Sequence, residues 1–343
     1  MRKKSLLLSL FMMGAFAYAQ ESISGIEITG SADAYYKYDF AKGENIETYF
    51  ANDHNSISLG MLNLGLKKST GKASFVGEVS FGPRGQYLTI PNGDGTDDNS
   101  FHIQNLYVDY AFTDKFSMTA GYMGTFIGYE VISPAANFHY STSYLFGAGP
   151  FQNAGIKGTY AFSDKVSLMA GLFNDWNVYK DLNGVSHFGA QLSLAPVDGL
   201  SIYANFLTGS SAGGKEEYSS GTIYDLVASY DVSDKFSLGL NAADYSFKSE
   251  GGYQGVALYP KFNVTDYAQI GLRGEYFKWK DVSDTEGASV TSLTLSGKLT
   301  HGGLSLIPEF RFDSDDSKPF FKSDFTTPTK SASQFSLALV YAF

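Results

Sequence analysis

Cysteine does not occur in this chain of 343 residues. A disulfide framework, a thiolate nucleophile and a cysteine-based metal site are therefore excluded. Long apolar runs are also missing beyond residue 19, whereas a membrane-spanning helix needs about 20 consecutive apolar residues. This second absence excludes a helical membrane protein.

Basic residues are scarce as well. The chain has 25 lysines and arginines against 35 acidic residues, which gives a formal net charge of −10. A protein that neutralises the phosphates of a nucleic acid needs the opposite balance. We therefore expect no nucleic-acid partner.

The amino terminus has the layout of a cleavable secretory signal. Basic residues at positions 2–4 precede an apolar run from Leu6 to Phe16, and Ala17 and Ala19 provide the small residues of a cleavage site. We predict a signal peptide at residues 1–19 and a single mature domain at residues 20–343. Cleavage would change the net charge to −13 because it removes three basic residues.

Aromatic residues are abundant, at 16% of the chain, and a turn motif recurs among them. A hydroxyl residue followed by Asp and Lys occurs at residues 113–115, 163–165 and 233–235. Each copy lies between two runs of alternating polarity, as expected for a tight turn between strands, where Asp supplies a side-chain hydrogen bond. Variants of this turn elsewhere bring the number of short turns to seven.

Short turns and long connections alternate along the whole chain. The long connections are rich in Gly, Asp, Asn and Ser, and the runs between Ile26 and Phe343 number about sixteen. Closed membrane barrels have short periplasmic turns, longer external loops and an even number of strands. The sequence thus predicts an all-β fold, a transmembrane antiparallel up-and-down β-barrel in the outer membrane of a Gram-negative bacterium, in contact with its lipid.

The two faces of each predicted strand differ in polarity. Leu106 and Val108 share one face while Asp109 lies on the other, and Ile270 and Leu272 alternate in the same way with polar residues. Successive side chains of a strand point to opposite faces, so the apolar set should meet lipid. Sixteen strands enclose an interior too wide to fill with side chains, which predicts a water-filled lumen. The alternation slips near Met61 and Leu62, which suggests a β-bulge.

The last ten residues, 334–343, form an amphipathic strand that ends on phenylalanine. Such an ending resembles the terminal signal by which outer-membrane proteins are recognised for insertion. The resemblance assigns its aromatic positions to Tyr341 and Phe343 and implies the barrel-insertion machinery as a partner.

The longest connection, at about residues 124–152, follows the fifth strand and contains Glu130. If this third external loop folds inward, Glu130 would bring negative charge to a constriction. The loop could equally pack outside the barrel on a neighbour or fold over the mouth of the pore. The further pore-lining candidates, chosen because they lie on inward positions, are Asp109, Lys261, Arg273, Glu275, Glu309 and Arg311.

Arg273 and Arg311 should lie at similar height and face the loop across the lumen, where a basic wall would orient charged solutes. The alternative is that Glu275 and Glu309 pair with these arginines as wall salt bridges. The sequence leaves both open, together with the charge preference.

An enzyme is a weak alternative. Asp53-His54-Asn55-Ser56 places a histidine two residues before a serine, but in a predicted loop and without a recognisable oxyanion site. We expect no catalytic residues, no metal site and no cofactor.

Five segments resemble the OmpL-like β-barrel porin family, namely 137–146, 149–151, 155–160, 174–178 and 205–209. The resemblance implies a passive outer-membrane channel for small hydrophilic solutes and ions. Two alternatives stay open: a channel selective for saccharides or anions, and a structural or adhesive barrel with a plugged lumen. Small outward residues on the first strand, Gly30, Ala32 and Ala34, also leave a homo-oligomer possible.

Overall fold

The computed structural model describes residues 21–23, 25–82, 84, 101–180, 184–212, 218–247 and 251–343. The predicted signal peptide at residues 1–19 lies outside the described residues. Among the described residues, no helix combines the length and the apolar character needed to cross a membrane.

The described residues form nineteen strands and one helix. The first ten strands are β1 Glu21–Ile23, β2 Ile26–Asp39, β3 Ser56–Thr70, β4 Ala73–Phe81, β5 Phe101–Ala111, β6 Phe116–Gly124, β7 Gln152–Ser163, β8 Val166–Phe173, β9 His187–Leu194 and β10 Leu200–Ala212. The others are β11 Tyr218–Asp231, β12 Phe236–Phe247, β13 Gly252–Thr265, β14 Ala268–Trp279, β15 Ser289–His301, β16 Leu304–Asp315, β17 Phe320–Phe321, β18 Pro328–Thr329 and β19 Ser331–Ala342. Helix α1 spans Tyr144–Ala148.

The strands close into one antiparallel barrel. From β2 to β16 each strand pairs with its neighbour in the chain, and β19 pairs with both β16 and β2. The closed ring has sixteen strands, so the predicted fold and strand number are confirmed. The short strand β1 pairs with the start of β2, and β17 and β18 form a separate two-stranded ribbon.

Seven short turns lie at one end of the barrel, where both termini of the ring also lie. The repeated hydroxyl-Asp-Lys motif has a direct physical role, because the hydroxyl of Thr113 accepts hydrogen bonds from the backbone N–H groups of Lys115 and Phe116, at 3.2 and 3.0 Å. Ser233 does the same for the turn between β11 and β12. The side chain thereby satisfies amides that a tight turn leaves without strand partners.

Longer external loops lie at the other end. Three of them are used below: loop L1 at residues 40–55, loop L3 at residues 125–151 and loop L4 at residues 174–186. L1 follows β2, L3 joins β6 to β7 and contains α1, and L4 joins β8 to β9.

The predicted faces of the strands are those observed. Leu106, Val108 and Ile270 are exposed on the outer surface, where a membrane protein meets lipid, while Arg273 and Glu275 are buried on the inner side. Because charged side chains occupy the inner parity, the barrel wall is apolar outside and polar inside.

The bulge predicted near Met61 is present on β3. Ala32 pairs with Leu62 and Ala34 pairs with Leu59, so two residues of β3 face Asp33 alone. The Asp33 carboxylate accepts a hydrogen bond from the Met61 N–H at 2.9 Å. A Cβ atom on Gly60 would lie 1.7 Å from that carboxylate, which explains the glycine. The bulge thus directs an acidic side chain into the lumen.

Candidate functional site

Loop L3 folds into the barrel and packs against the inner wall. Its side chains Phe126, Ile127 and Leu145 are buried and join a hydrophobic cluster with residues of β8 and β10–β15. Burial of these apolar groups inside a polar lumen gives the loop a stable position. Of the alternatives left open by the sequence, the inward fold is the one observed.

Carboxylates of the wall hold the backbone of L3. Glu309 on β16 accepts hydrogen bonds from the N–H groups of Tyr140 and Ser141, at 2.9 and 3.1 Å. Glu275 on β14 accepts those of Tyr144 and Leu145, at 3.0 and 2.8 Å. These amides have no ladder partner, so each buried carboxylate satisfies two donors that would otherwise be stranded.

A third carboxylate holds the first part of the loop. Asp225 on β11 accepts a hydrogen bond from the Gly128 N–H at 3.0 Å and further bonds from the side-chain amides of Asn205 and Asn241. L3 is therefore attached at several points along its length.

Arg273 and Glu130 form a buried ion pair. Nη1 of Arg273 lies 2.8 Å from the Glu130 carboxylate and also donates to the carbonyl oxygen of Ser141. Glu130 in turn accepts bonds from the backbone N–H and hydroxyl of Ser143, at 2.7 and 3.0 Å. Arg273 has an exposed fraction of 0% and Glu130 of 8%. The charge of Glu130 is thus directed at the wall and neutralised there.

Arg311 is also fully buried beneath the loop. Its Nε donates to both oxygens of Asp313, at 2.8 and 3.1 Å, and its guanidinium carbon lies 4.9 Å from the centre of the Tyr144 ring. Tyr144 closes the group by donating its hydroxyl to Asp313 at 2.7 Å. This arrangement pairs a cation with both an anion and an aromatic face.

These contacts correct the expected geometry of the two arginines. Arg273 and Arg311 do not face L3 across an open lumen, because both donate to the same loop carbonyl, that of Thr142, at 3.3 and 2.7 Å. The expected partners Glu275 and Glu309 bind loop amides instead. The physical reason is that a loop inside the barrel has backbone N–H and C=O groups without strand partners. These groups form hydrogen bonds with the charged side chains of the wall, which would otherwise pair with each other.

Glycines on the inner face make room for the side chains of L3. A Cβ atom would lie 2.5 Å from the Tyr129 hydroxyl at Gly239 and 2.3 Å from the Phe138 ring at Gly271. At Gly189 it would lie 2.5 Å from the Phe126 ring. The wall therefore carries preformed sockets into which bulky loop residues fit.

Arg84, which follows β4, joins three external segments. Its guanidinium group lies between the rings of Phe50 in L1 and Tyr140 in L3, 4.7 and 4.9 Å from their centres. It also donates to the carbonyl oxygens of Ile132 and Tyr140. The Tyr140 hydroxyl donates to Asp33 at 2.6 Å, so L3 is fixed to the residue of β2 that lies opposite the bulge.

His139 of L3 is buried against β15. Its Nδ1 lies 2.7 Å from the Ser296 hydroxyl and 4.0 Å from Glu309. Burial, followed by the nearby charge of Arg273, lowers the pKa of His139 well below its usual range. The docked loop therefore holds a neutral imidazole.

The inner face of β4–β7, called the far wall below, carries charges that are only half-buried. Glu78 accepts one bond from Asn63 at 2.8 Å and a second from the amide of Asn105. Asp109 accepts a bond from Thr119 at 2.5 Å and interacts electrostatically with Lys157, which is aligned with Thr119 on the next strand. Asp109 was among the predicted pore residues, whereas Glu78 and Lys157 were missed although their inward parity could have identified them.

Lys261 lies away from the loop, toward the short-turn end of β13. It is half-buried and lines a cavity of about 340 Å³ with Asp231, Asp234 and Asn263. Of the predicted pore candidates, the structure thus brings Glu130, Arg273, Glu275, Glu309 and Arg311 together under L3 and places Asp109 and Lys261 apart from them.

The histidine and serine of residues 53–56 do not form a dyad. His54 Nδ1 accepts the Asp39 N–H at 3.1 Å, while the Ser56 hydroxyl lies 3.1 Å from that of Ser58. Within the part of the chain that the structure describes, no group of three or more His, Asp or Glu residues could hold a metal ion.

Known proteins resemble the chain in fold more than in sequence. A comparison with curated proteins finds no match. An anion-selective porin from Comamonas acidovorans shares 13% identity with a TM-score of 0.63, covering 93% of this chain and 99% of its own. OprB of Pseudomonas putida shares 13% with a TM-score of 0.64, covering 93% and 94%. A trimer form of OmpT, an outer membrane protein of Vibrio cholerae, shares 13% with a TM-score of 0.59, covering 93% and 99%.

A family model matches almost the whole barrel. Its description is "Putative beta-barrel porin-2, OmpL-like", and it matches residues 25–343. This span includes every strand of the closed ring, the inward loop and the terminal aromatic residue. The chain therefore belongs to the OmpL-like β-barrel porin family and is a porin of the outer membrane.

Proposed function

We propose that small hydrophilic solutes and ions diffuse passively through the part of the lumen between L3 and the far wall. The observation that carries this proposal is the distribution of charge. Five candidate residues, Glu130, Arg273, Glu275, Glu309 and Arg311, are buried beneath L3. The charges of the far wall remain half-buried on the inner surface.

The far wall then sets the ion preference of the channel. Glu130 is the one acidic residue of L3 and is turned away from the pathway, so the loop presents a neutral surface. Glu78 accepts hydrogen bonds from two side-chain amides, which fix the direction of its carboxylate on the inner surface. Asp109 and Lys157 offset each other. We therefore propose a mild cation preference, unlike the anion selectivity stated for the Comamonas porin.

Single-channel recording of the refolded protein in a planar bilayer tests both statements. Stable ohmic steps are expected, with a reversal potential under a salt gradient that indicates cation preference. Glu78→Gln should move that potential toward zero. Glu44→Gln removes an exposed carboxylate from L1 and serves as the matched control.

Two results would overturn the proposal. Absence of current from a protein shown by circular dichroism to be a folded barrel would favour the plugged structural barrel. An unchanged reversal potential in Glu78→Gln would show that the far wall does not set the ion preference.

We further propose that the protein has no catalytic activity, since His54 and Ser56 are bonded to other groups.

A homo-oligomer is also proposed, through the outer side of β2 and β3. The small residues Ala32 and Ala34 are paired with Leu62 and Leu59, which are 45% and 72% exposed. A Vibrio cholerae neighbour is described as a trimer form. Light scattering of Ala34→Arg in detergent should then show a smaller particle than the unchanged protein.

A further inference from the structure

A continuous row of aromatic rings lines the inner side of the barrel at its external end. Across β12, β13 and β14, Tyr245 is paired with Tyr253 and Tyr253 with Trp279. Their ring centres are 5.5 and 6.1 Å apart. Trp176 of L4 extends the row, 5.2 Å from Tyr245, and Phe247 lies 4.8 Å from Tyr245.

Trp279 faces the lumen rather than lipid. Its ring packs edge-on against Phe277 at 5.0 Å, and Phe277 is a buried residue of the cluster that contacts L3. Tyr276, the residue before Phe277 on β14, points to the opposite face and is exposed on the outer surface. Residues of one strand alternate between faces, so Phe277 and Trp279 share the inner one.

The row has a buried floor and accessible ends. Tyr245 and Tyr253 are buried, whereas Trp279 is 49% exposed and Trp176 and Phe247 are half-buried. The exposed rings of the row face the water-filled lumen, so they do not contact lipid. They are also only partly covered by other side chains of the barrel interior. Exposed apolar surface of this kind commonly marks a binding site.

Polar groups flank the row at Trp176. Asp175 lies 3.4 Å from the imidazole of His187, and the Ser186 hydroxyl lies 3.4 Å from the same carboxylate. Asp175 precedes Trp176 in the chain and interacts electrostatically with Tyr245, so its carboxylate places a hydrogen-bond acceptor next to the flat apolar surface of the row. The matching solute must have an apolar face and a rim of hydroxyl groups.

We propose that this aromatic row is a stacking site for a short oligosaccharide at the external mouth. Pyranose rings carry C–H groups on their faces and hydroxyls on their edges, so their faces can lie on Trp279 and Trp176 while hydroxyls donate to Asp175. The inference rests on the proposed diffusion channel, to which it adds a class of solute. Binding at the mouth would raise the local concentration of sugar before it reaches L3.

Intrinsic fluorescence tests the site directly, because the chain contains two tryptophans and both lie in this row. The folded protein in detergent is titrated with maltotriose and, separately, with cellotriose. A saturable change in emission is expected. Trp279→Phe should weaken binding, which would raise the half-saturating sugar concentration at least fivefold. Tyr267→Phe changes an exposed ring in the short turn after β13 and should leave the titration unchanged.

Glycerol at equal mass concentration gives the reference for bulk effects. A linear response equal to that of glycerol, or a titration unaffected by Trp279→Phe, would overturn the site and leave the aromatic row as packing for L3. Asp175→Asn should also weaken binding, since it replaces the charged acceptor by a weaker, neutral amide oxygen without removing a ring.

Channel recordings keep this result separate from the proposed function. Saturable block of the current by maltotriose supports both proposals, and ohmic current with neither block nor a saturable titration contradicts the sugar site alone. A saturable titration from a barrel that carries no current supports the sugar site and contradicts the diffusion channel.

Discussion

Arg273 on β14 and Glu130 in L3 form an ion pair of 2.8 Å that is buried between the loop and the wall. The pair is surrounded by hydrogen-bond partners on both sides, among them Ser141 and Ser143. A buried pair of this kind contributes little net energy compared with an apolar replacement, but loss of one partner strands the other. The pair thus favours one docked position of L3 over others.

Arg273→Gln should loosen the loop. Removal of one partner of a buried ion pair costs about 3–5 kcal/mol. Here the cost would lower the free energy that holds L3 in its docked position, because the buried Glu130 carboxylate is left without its cation. We expect a noisier and larger single-channel current and faster proteolysis within residues 125–151. Lys261→Gln removes a lysine from the adjacent strand β13 and is the control. Identical current noise and proteolysis in Arg273→Gln and the unchanged protein would contradict the role given to this pair.

Gly271→Val should displace Phe138 from its socket. A Cβ at this position would lie 2.3 Å from the Phe138 ring, and overpacking costs about 1–3 kcal/mol. The loop should shift, with a measurable change in conductance. Gly274→Val, on the outer parity of the same strand, has open space within 4 Å and should leave the conductance unchanged. Equal behaviour of the two variants would show that the socket does not position L3.

Local regularity explains what could be predicted from the sequence. The faces of β5 and β14 and the bulge at Met61 follow from a period of two residues, which any short stretch displays. The direction of Glu130 could not be predicted in this way, since it depends on a contact with Arg273 that is 143 residues distant in the sequence. The roles of Glu275 and Glu309 were hidden for the same reason. Parity places them inside but does not say whether water or a loop amide lies opposite.

Phe343→Ala should reduce the amount of folded barrel in the membrane. Phe343 exchanges two backbone hydrogen bonds of 3.0 Å with Gly30 at the closing seam, and its ring lies 6.2 Å from that of Tyr341. The backbone bonds survive the substitution, so a loss would reflect the missing ring and its recognition by the insertion machinery. Quantitative immunoblotting of heat-modifiable protein in outer-membrane fractions measures this. Phe321→Ala in the external loop is the control, and equal levels of the two variants would contradict the assignment of the signal.

Acid should weaken the docking of L3 through His139. In the docked loop, burial lowers the pKa of His139, whereas a released loop would return it to an ordinary value of about 6.5. The released state therefore binds more protons, so docking is at full strength above about pH 6.5 and weakens as the pH falls below it, by at most about 1.4 kcal/mol per pH unit. We expect channel noise to rise between pH 7.5 and pH 5 in the unchanged protein. His139→Gln should flatten this dependence, while His301→Gln, exposed at the short-turn end, should retain it. The same pH profile in all three proteins would exclude His139 as its source.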